Sequence, residues 1–277
     1  MIRGTTQLIA HLGYPTEAFK APMIYNPYFE QAGVDAVVVP LGVRAEHYAA
    51  FLRPLFRLEN IRGALVTMTH KVTTAALLDD VTPTVKVAGA CNAIVKRPDG
   101  SLAGDMFDGE GFVRGVLRKG RALAGARALV VGAGGVGSAI AASLAAAHVA
   151  ALGIFDTRAD VADELARRLR EHYRQLEVCT GSNDPAGYDI VVNATPLGMR
   201  EGDPMPFGVE RLTPGTLVGE VVMKEEYTPL LRAAMARDCP VQVGTDMLYE
   251  MIPAYLEFFG FPTTTPEALR AVSRIRY

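Results

Sequence analysis

The sequence predicts an α/β protein built from two domains. Short apolar runs alternate with helical patterns over the first hundred residues, and this alternation restarts at Arg127, as is typical of successive βα units. The chain has 277 residues, of which 49% are hydrophobic and 21% are charged, so two domains can each bury a core. For the second half we expect a doubly wound parallel sheet.

In the first half, apolar runs and helical periodicity predict three strand and helix pairs followed by a hairpin. The strands are expected at 7–12, 36–41 and 63–67, and the helices at 22–32, 45–58 and 72–79. Two short apolar runs, at 93–96 and 101–103, flank a Pro-Asp-Gly turn, which is a strong hairpin signal.

The second half begins with a helix after Asp108, which we expect to link the two domains. From Arg127 onward the pattern predicts strands at 128–131, 151–155, 190–193 and 217–221. The alternation ends near Val243. Two amphipathic patterns, at 245–259 and 265–274, have no strand after them, so we expect these helices to pack back on the first domain.

Charge and composition favour small-molecule partners. A formal charge of −2 with scattered arginines provides no basic field for nucleic acid or anionic lipid. The apolar segment 128–155 is punctuated by five glycines, which favours buried strands around a packed helix over a membrane span. The N-terminus shows no secretory signal, and the three cysteines lack metal-ligand spacing. We therefore expect a cytoplasmic protein without a metal, nucleic-acid or membrane partner.

A glycine-rich loop directly follows the apolar strand at 128–131. Gly132, Gly134 and Gly137 form a G-x-G-x-x-G pattern that leads into an alanine-rich helix reaching about His148. In such loops the first glycine permits a tight turn, the second admits a pyrophosphate, and the third lets the helix approach the sheet. The helix N-terminus then stabilises the anion. The sequence thus predicts a dinucleotide site in a Rossmann-type domain.

An acidic residue, Asp156, directly follows the next strand, about 20 residues after the glycine loop, where such folds bind the adenosine ribose. A carboxylate there accepts hydrogen bonds from ribose hydroxyls and repels a 2′-phosphate. NAD is therefore expected in preference to NADP, although the nearby Arg158 could partly reverse this preference.

Several motifs occur in order along nearly the whole chain. They are Val66-Thr67, Lys71, Gly89-Ala90-Cys91-Asn92, Asp108-Gly109-Glu110-Gly111-Phe112, the glycine loop, Asn193-Ala194-Thr195-Pro196-Leu197-Gly198-Met199 and Thr228-Pro229-Leu230-Leu231. In this set and order the chain resembles the shikimate and quinate dehydrogenases.

The resemblance implies an N-terminal α/β substrate domain at 1–105, completed by C-terminal helices at 243–277. It also implies a Rossmann domain at 106–242 and a cleft between the two domains. Lys71 and Asp108 are implied as the catalytic pair, and Thr67 and Asn92 as residues that bind ring hydroxyls. The implied cofactor residues are Gly132, Ala133, Gly134, Gly135, Val136, Gly137, Asp156, Thr157, Arg158, Asn193, Ala194, Thr195, Pro196, Met199, Val221, Met223, Gly244 and Met247.

The chemistry of Lys71 and Asp108 suits this role. Oxidising an alcohol by hydride transfer requires a group that accepts the hydroxyl proton, and the same group returns the proton in the reverse reaction. The sequence leaves open which of the two residues is the base.

The family pattern is broken at several positions that face the substrate in relatives. Phe19 and Ala21 replace the two serines of the carboxylate-binding segment, and Leu65 replaces an asparagine. Met106-Phe107, Met223 and Met251 replace further polar residues. Each change removes a hydrogen-bonding group, and burying a carboxylate without donors costs about a few kcal/mol.

These changes predict a reversible dehydrogenase that interconverts a cyclic alcohol and its ketone, with a substrate less polar than shikimate. We expect a monomer or a homodimer. Three alternatives stay open. One is an ordinary shikimate or quinate dehydrogenase of aromatic amino-acid biosynthesis or quinate catabolism. The second is a non-catalytic sensor of dinucleotide and metabolite, which the presence of both Lys71 and Asp108 disfavours. The third is a different hydride-transfer enzyme on the same two-domain plan, such as a methylene-tetrahydrofolate dehydrogenase.

Overall fold

The computed structural model describes residues 2–275 and divides into two compact units. The first unit contains the described residues up to Phe107 together with those from Ile252 onward, and the second unit is Asp108–Met251. Each unit has its own six-stranded sheet.

The sheet of the first unit is mixed. Its strands are β1 (Gln7–Gly13), β2 (Ala36–Gly42), β3 (Ile61–Val66), β4 (Asp80–Val81), β5 (Ala93–Lys96) and β6 (Leu102–Asp105). The strand order is β2-β1-β3-β5-β6-β4. Strands β1, β2 and β3 are parallel, whereas β5 pairs antiparallel with both β3 and β6, as expected for the hairpin around the Pro-Asp-Gly turn.

Short helices connect these strands. They are α1 (Pro22–Ala32), α2 (Ala45–Leu55), α3 (Lys71–Ala75) and α4 (Pro83–Ala88). Proline at the first position and Gly33 in the left-handed conformation (φ 66°) bound α1, because proline lacks the N–H that a helix start leaves unused and glycine accepts positive φ.

The sheet of the second unit is entirely parallel. Its strands are β7 (Arg127–Val131), β8 (Ala151–Phe155), β9 (Glu177–Thr180), β10 (Ile190–Asn193), β11 (Leu217–Glu220) and β12 (Val241–Gln242). The order β12-β11-β10-β7-β8-β9 is the doubly wound arrangement of dinucleotide-binding domains, whose ligands lie where the strand order reverses. Here that point lies between β7 and β10.

The remaining helices are α5 (Asp108–Arg118), α6 (Gly135–Ala146), α7 (Ala159–His172), α8 (Pro229–Met235), α9 (Gly244–Phe258) and α10 (Pro266–Val272), with a 3-10 turn at Val209–Arg211. The apolar segment 128–155 forms β7, α6 and β8. Across residues 2–275, no helix combines the length and apolarity needed to cross a membrane.

Several elements differ from the sequence prediction. The predicted helix at 72–79 ends at Ala75 and gives way to β4. The edge strands β9 and β12 were not predicted, nor were α4 and α8. Strand β9 is half-exposed and polar, and β12 has two residues, so neither presents a buried apolar run that periodicity can detect.

Candidate functional site

The three glycines of the loop differ in what surrounds them. Gly132 has φ 102°, and a Cβ there would lie 2.8 Å from the backbone of Ala194. A Cβ on Gly137 would collide with the carbonyl oxygen of Gly132. A Cβ on Gly134 would meet nothing within 4 Å. The first and third glycines are thus required by packing, whereas the second leaves open space above the loop.

That space fits a dinucleotide pyrophosphate. Gly134 is the N-cap of α6, a helix of twelve residues, and has no side chain to cap the first turn. The backbone N–H groups at the start of α6 are therefore available to an anion. The loop itself is fixed, since Ser138 Oγ donates to the carbonyl of Ala133 at 3.0 Å.

Asp156 is bound to its own chain. Its Oδ2 accepts the backbone N–H of Ala133 at 2.8 Å, and its Oδ1 accepts the backbone N–H of Arg158 at 3.0 Å. The carboxylate therefore ties the end of β8 to the glycine loop. The side chains of Thr157 and Arg158 are exposed beside it.

Asn193 organises the turn that follows β10. Its Oδ1 accepts from the backbone N–H of Thr195 at 3.1 Å and from the Thr195 hydroxyl at 2.7 Å, while its Nδ2 donates to the carbonyl of Leu197 at 3.0 Å. Asn193 is fully buried. This side chain therefore shapes the turn that lies beside the glycine loop, where Ala194 approaches Gly132.

Glu220 is a buried carboxyl at the end of the neighbouring strand β11. It accepts a hydrogen bond from Asn193 Nδ2 at 3.4 Å. Burial raises the pKa of Glu220 from 4.5 to about 7, a rise that hydrogen bonds from Thr228 and Asn193 oppose. The group therefore titrates near neutral pH.

The predicted cofactor residues all lie in the second unit, within the loops and turns at the carboxyl ends of its central strands or at the starts of the helices that follow. Gly132 to Gly137 follow β7, Asp156 to Arg158 follow β8, and Asn193 to Met199 follow β10, starting from the strand's last residue. Val221 and Met223 follow β11, and Gly244 and Met247 lie in the first turn of α9. Val136, Ala194, Pro196 and Met199 are partly or fully exposed.

The first unit contains the predicted catalytic residue Lys71 and the two residues predicted to bind ring hydroxyls, Thr67 and Asn92. Lys71 begins α3, and its carbonyl accepts the backbone N–H of Cys91 at 2.8 Å. Asn92 Oδ1 accepts the backbone N–H of Phe107 at 2.9 Å. Within residues 2–275, the buried Nδ2 of Asn92 has no hydrogen-bond partner. Thr67 donates its backbone N–H to Leu12 and packs its methyl group against Gly13.

The altered positions of the carboxylate-binding segment are also in the first unit. The Phe19 ring stacks on the imidazole of His11 with 4.1 Å between ring centroids. Ala21 and Leu65 are buried, with 6% and 4% of their surfaces exposed. These neighbours present apolar surface where serine hydroxyls and an asparagine amide were expected from the family.

Asp108 and Met251 belong to the second unit. Asp108 is the first residue of α5 and is 1% exposed. Met251 is half-buried, and its Cβ lies close to Gly111. Met106 and Phe107 belong to the first unit and are buried, and Phe107 packs edge-on against Tyr255 of the same unit.

Two polar residues of these sites were not found from the sequence. His11 lies within the apolar run Ile9 to Leu12 of β1, and Glu220 ends β11, whose other residues are apolar. A polar residue within an apolar strand pattern was the signal that could have identified both as candidate site residues, since a polar group is costly to bury. In the part of the chain from 2 to 275, no group of three or more His, Cys, Asp and Glu residues is arranged to hold a metal.

Comparison with known families gives two matches. A model described as the shikimate dehydrogenase substrate binding domain matches residues 12–94, and one described as shikimate / quinate 5-dehydrogenase matches residues 116–197. A shikimate dehydrogenase (NADP(+)) of Rubrobacter xylanophilus is 37% identical over 98% of this chain and 97% of its own. One of Salinibacter ruber is 38% identical over 90% of each chain.

Solved structures of similar proteins cover nearly the whole fold. A 5-ketofructose reductase of Gluconobacter is 26% identical with a TM-score of 0.86, covering 98% of each chain. A shikimate 5-dehydrogenase of Thermus thermophilus with NADP(H) and shikimate is 25% identical, with a TM-score of 0.86 over 97% and 99%. A quinate dehydrogenase of Corynebacterium glutamicum with NAD is 28% identical, with a TM-score of 0.84 over 96% and 98%.

The expectation of NAD in preference to NADP is wrong. The curated relatives from Rubrobacter xylanophilus, Acidiphilium cryptum and Desulforamulus reducens are all named NADP(+) enzymes. The physical reason lies in Asp156, whose two carboxylate oxygens each bind a backbone N–H of this chain. An acid that closes the glycine loop is compatible with either dinucleotide, so its presence alone does not select NAD.

Proposed function

This chain belongs to the shikimate and quinate dehydrogenase family. We propose that it uses NADP(H) to interconvert a cyclic secondary alcohol and the corresponding ketone, and that this substrate has no carboxylate. The observation that carries this proposal is the Phe19 ring, stacked on His11 at a position where the family binds a carboxylate.

Side chains in this segment decide whether a substrate carboxylate can leave water and bind here. Phe19, Ala21 and Leu65 offer no side-chain donor to an anion. A carboxylate buried against them would lose its hydration without replacement, at about a few kcal/mol or a hundredfold or more in affinity. An uncharged ring face would instead gain from contact with the same surface.

One relative supports a carboxylate-free substrate. The Gluconobacter protein is named for the reduction of 5-ketofructose, a ketone that has hydroxyl groups and no carboxylate, and the two chains match over 98% of each length. A protein with the same fold and 26% sequence identity is thus named for a substrate without a carboxylate.

For the cofactor, we propose that the exposed Arg158 binds the 2′-phosphate of NADP(H). A guanidinium pairs with phosphate through two parallel hydrogen bonds. The glycine loop and the start of α6 would hold the pyrophosphate, and the turn shaped by Asn193 would hold another part of the same dinucleotide. When bound there, NADPH would provide the hydride that reduction of a carbonyl carbon requires.

Lys71 and Asp108 are proposed to handle the proton. As the carbonyl is reduced, its oxygen requires a proton, and an ammonium or a carboxylic acid can donate one. In the oxidation direction the same group accepts the hydroxyl proton. Asn92, whose Nδ2 is unpartnered within the described chain, is proposed to donate a hydrogen bond to a substrate hydroxyl, as is Thr67.

A matched set of substrates tests this proposal. Shikimate, quinate and cyclohexane-1,2-diol are oxidised with NADP+, and 5-ketofructose is reduced with NADPH, with NAD(H) in parallel. The diol retains two adjacent ring hydroxyls but lacks the carboxylate. We expect kcat/KM for at least one carboxylate-free probe to exceed the values for shikimate and quinate about tenfold or more. Efficient turnover of shikimate or quinate would instead identify an ordinary member of the family.

A lysine variant separates the enzyme from a sensor. Lys71→Ala is expected to abolish turnover and to leave NADPH binding, measured by nucleotide fluorescence, within about threefold of wild type. Lys86→Ala, an exposed lysine of the same unit, is the control and should retain full turnover. Wild-type protein that binds NADPH and a probe without oxidising or reducing it would support the sensor.

A further inference from the structure

His11 lies on the face of the sheet that carries Leu65. The two residues are register partners on the parallel strands β1 and β3, and partners in a parallel pair project to the same face. His11 is 6% exposed and lies in the run Ile9 to Leu12, whose other members are apolar and buried.

One ring nitrogen of His11 is an uncompensated polar atom. This atom, Nδ1, is buried and has no hydrogen-bond partner within residues 2–275. A buried polar atom without a partner destabilises a fold, and an aliphatic residue would fill this strand position without that cost. The presence of a histidine at this buried strand position therefore indicates a functional role.

The contact that distinguishes His11 is its stack on Phe19. The ring centroids are 4.1 Å apart and the ring planes are inclined by 29°. The far edge of the Phe19 ring reaches Gly13, where an added Cβ would lie 2.8 Å from Phe19 Cζ. The ring is thus held between an imidazole and a glycine that leaves room for it.

The electrostatic setting keeps this imidazole neutral. Burial, and secondly the positive charge of Lys71, lower the pKa of His11 from 6.5 to about 3. An uncharged ring gives a carboxylate no counter-charge, and it stacks on an aromatic ring without the hydration demand of an imidazolium. The influence of Lys71 also indicates that the stack lies near the proposed proton donor.

We propose that His11 is a positioning residue for substrate specificity, which acts by fixing the Phe19 ring over the position where relatives bind a carboxylate. The proposal rests on the proposed function and assigns its selectivity to one residue pair. The stack closes the carboxylate position and presents a flat apolar surface to an uncharged ring.

The experiment uses the full chain with NADP(H) and whichever of cyclohexane-1,2-diol and 5-ketofructose the wild type turns over faster. His11→Val removes the stack and the unpaired nitrogen while preserving strand propensity. We expect KM for the probe to rise about three- to tenfold, as loss of one aromatic contact implies, with kcat within about twofold. Shikimate, used as a competitive inhibitor, should bind His11→Val more tightly than wild type.

Two further variants separate specificity from folding. His11→Phe retains an aromatic ring against Phe19 and should restore KM toward wild type. Ile9→Val removes a buried methyl group from the same face of β1 and should change neither constant. A purely structural role for His11 would leave the KM for the probe and the inhibition constant for shikimate unchanged, which would overturn the inference while the wild-type preference stood. Wild-type preference for shikimate would overturn both proposals.

Discussion

Asp156 closes the glycine loop by accepting the backbone N–H of Ala133 at 2.8 Å. The bond joins the end of β8 to the loop after β7, alongside the backbone hydrogen bond that the Gly132 N–H donates to the carbonyl of Phe155 at 2.7 Å. The carboxylate therefore stabilises the site irrespective of which dinucleotide it receives.

Asp156→Ala tests this structural role. We expect KM for NADP+ and for NAD+ to rise together by about three- to tenfold, because two hydrogen bonds of about 0.5–1.5 kcal/mol each are lost, one to the glycine loop and one to the backbone of Arg158. Steady-state kinetics with both dinucleotides measure the ratio. The control is Asp160→Asn, which alters an exposed acid of α7. A rise confined to NAD+ would contradict the structural role and indicate direct ribose recognition.

Arg158→Ala tests 2′-phosphate recognition. Loss of a charge-assisted contact of about 1.5–3 kcal/mol predicts a KM for NADP+ about ten- to a hundredfold higher. The KM for NAD+ should stay within about twofold, since NAD+ lacks the phosphate. Arg174→Ala, which changes an exposed arginine beyond the end of α7, is the matched control. Equal effects on both dinucleotides would exclude this role for Arg158.

Alanine at two loop glycines should have opposite consequences. Gly137→Ala places a methyl group against the carbonyl of Gly132, and overpacking of this kind predicts a loss of about 1–3 kcal/mol in the free energy of unfolding. Gly134→Ala meets no protein atom and should leave the melting temperature of the free protein unchanged. It should nevertheless weaken NADP+ binding, because the methyl group enters the proposed pyrophosphate space. Thermal unfolding and nucleotide titration together check both results.

Glu220 predicts a specific pH dependence of stability. Its pKa is about 7 in the folded chain against an ordinary value of 4.5, so the folded protein binds this proton more tightly than the unfolded protein does. The resulting stabilisation is complete below pH 4.5 and is lost as pH rises through 7. Between pH 5 and pH 8 this group should lower the free energy of unfolding by about 2–3 kcal/mol.

Glu220→Gln should remove that part of the pH dependence, as measured by urea unfolding at the two pH values. The variant should be more stable than wild type at pH 8 and show little gain at pH 5. Glu226→Gln, at an exposed carboxylate, should leave the wild-type slope unchanged. The same slope in wild type and Glu220→Gln would mean that the carboxyl is ionised in the fold without penalty.

Local signals predicted the central strands of both sheets closely. The strands at Ala151–Phe155 and Ile190–Asn193 have the predicted bounds, because a fully buried parallel strand is a continuous apolar run between turn residues. The sequence also predicted the glycine loop, since the geometry of a single turn fixes the spacing of its three glycines. The edge strands β9 and β12 carry too little buried apolar surface to leave such a pattern.

The amino-acid sequence by itself determined the two-domain α/β class, the glycine loop and the family motifs, because these depend on neighbours along the chain. The tertiary structure decided what Asp156, His11 and Glu220 do. Asp156 finds its partner on another loop, His11 stacks on a residue beyond the end of its own strand, and Glu220 has a raised pKa only because the fold buries it. Hydrogen bonding, stacking and desolvation between distant segments exist only after folding, so spacing along the chain cannot report them.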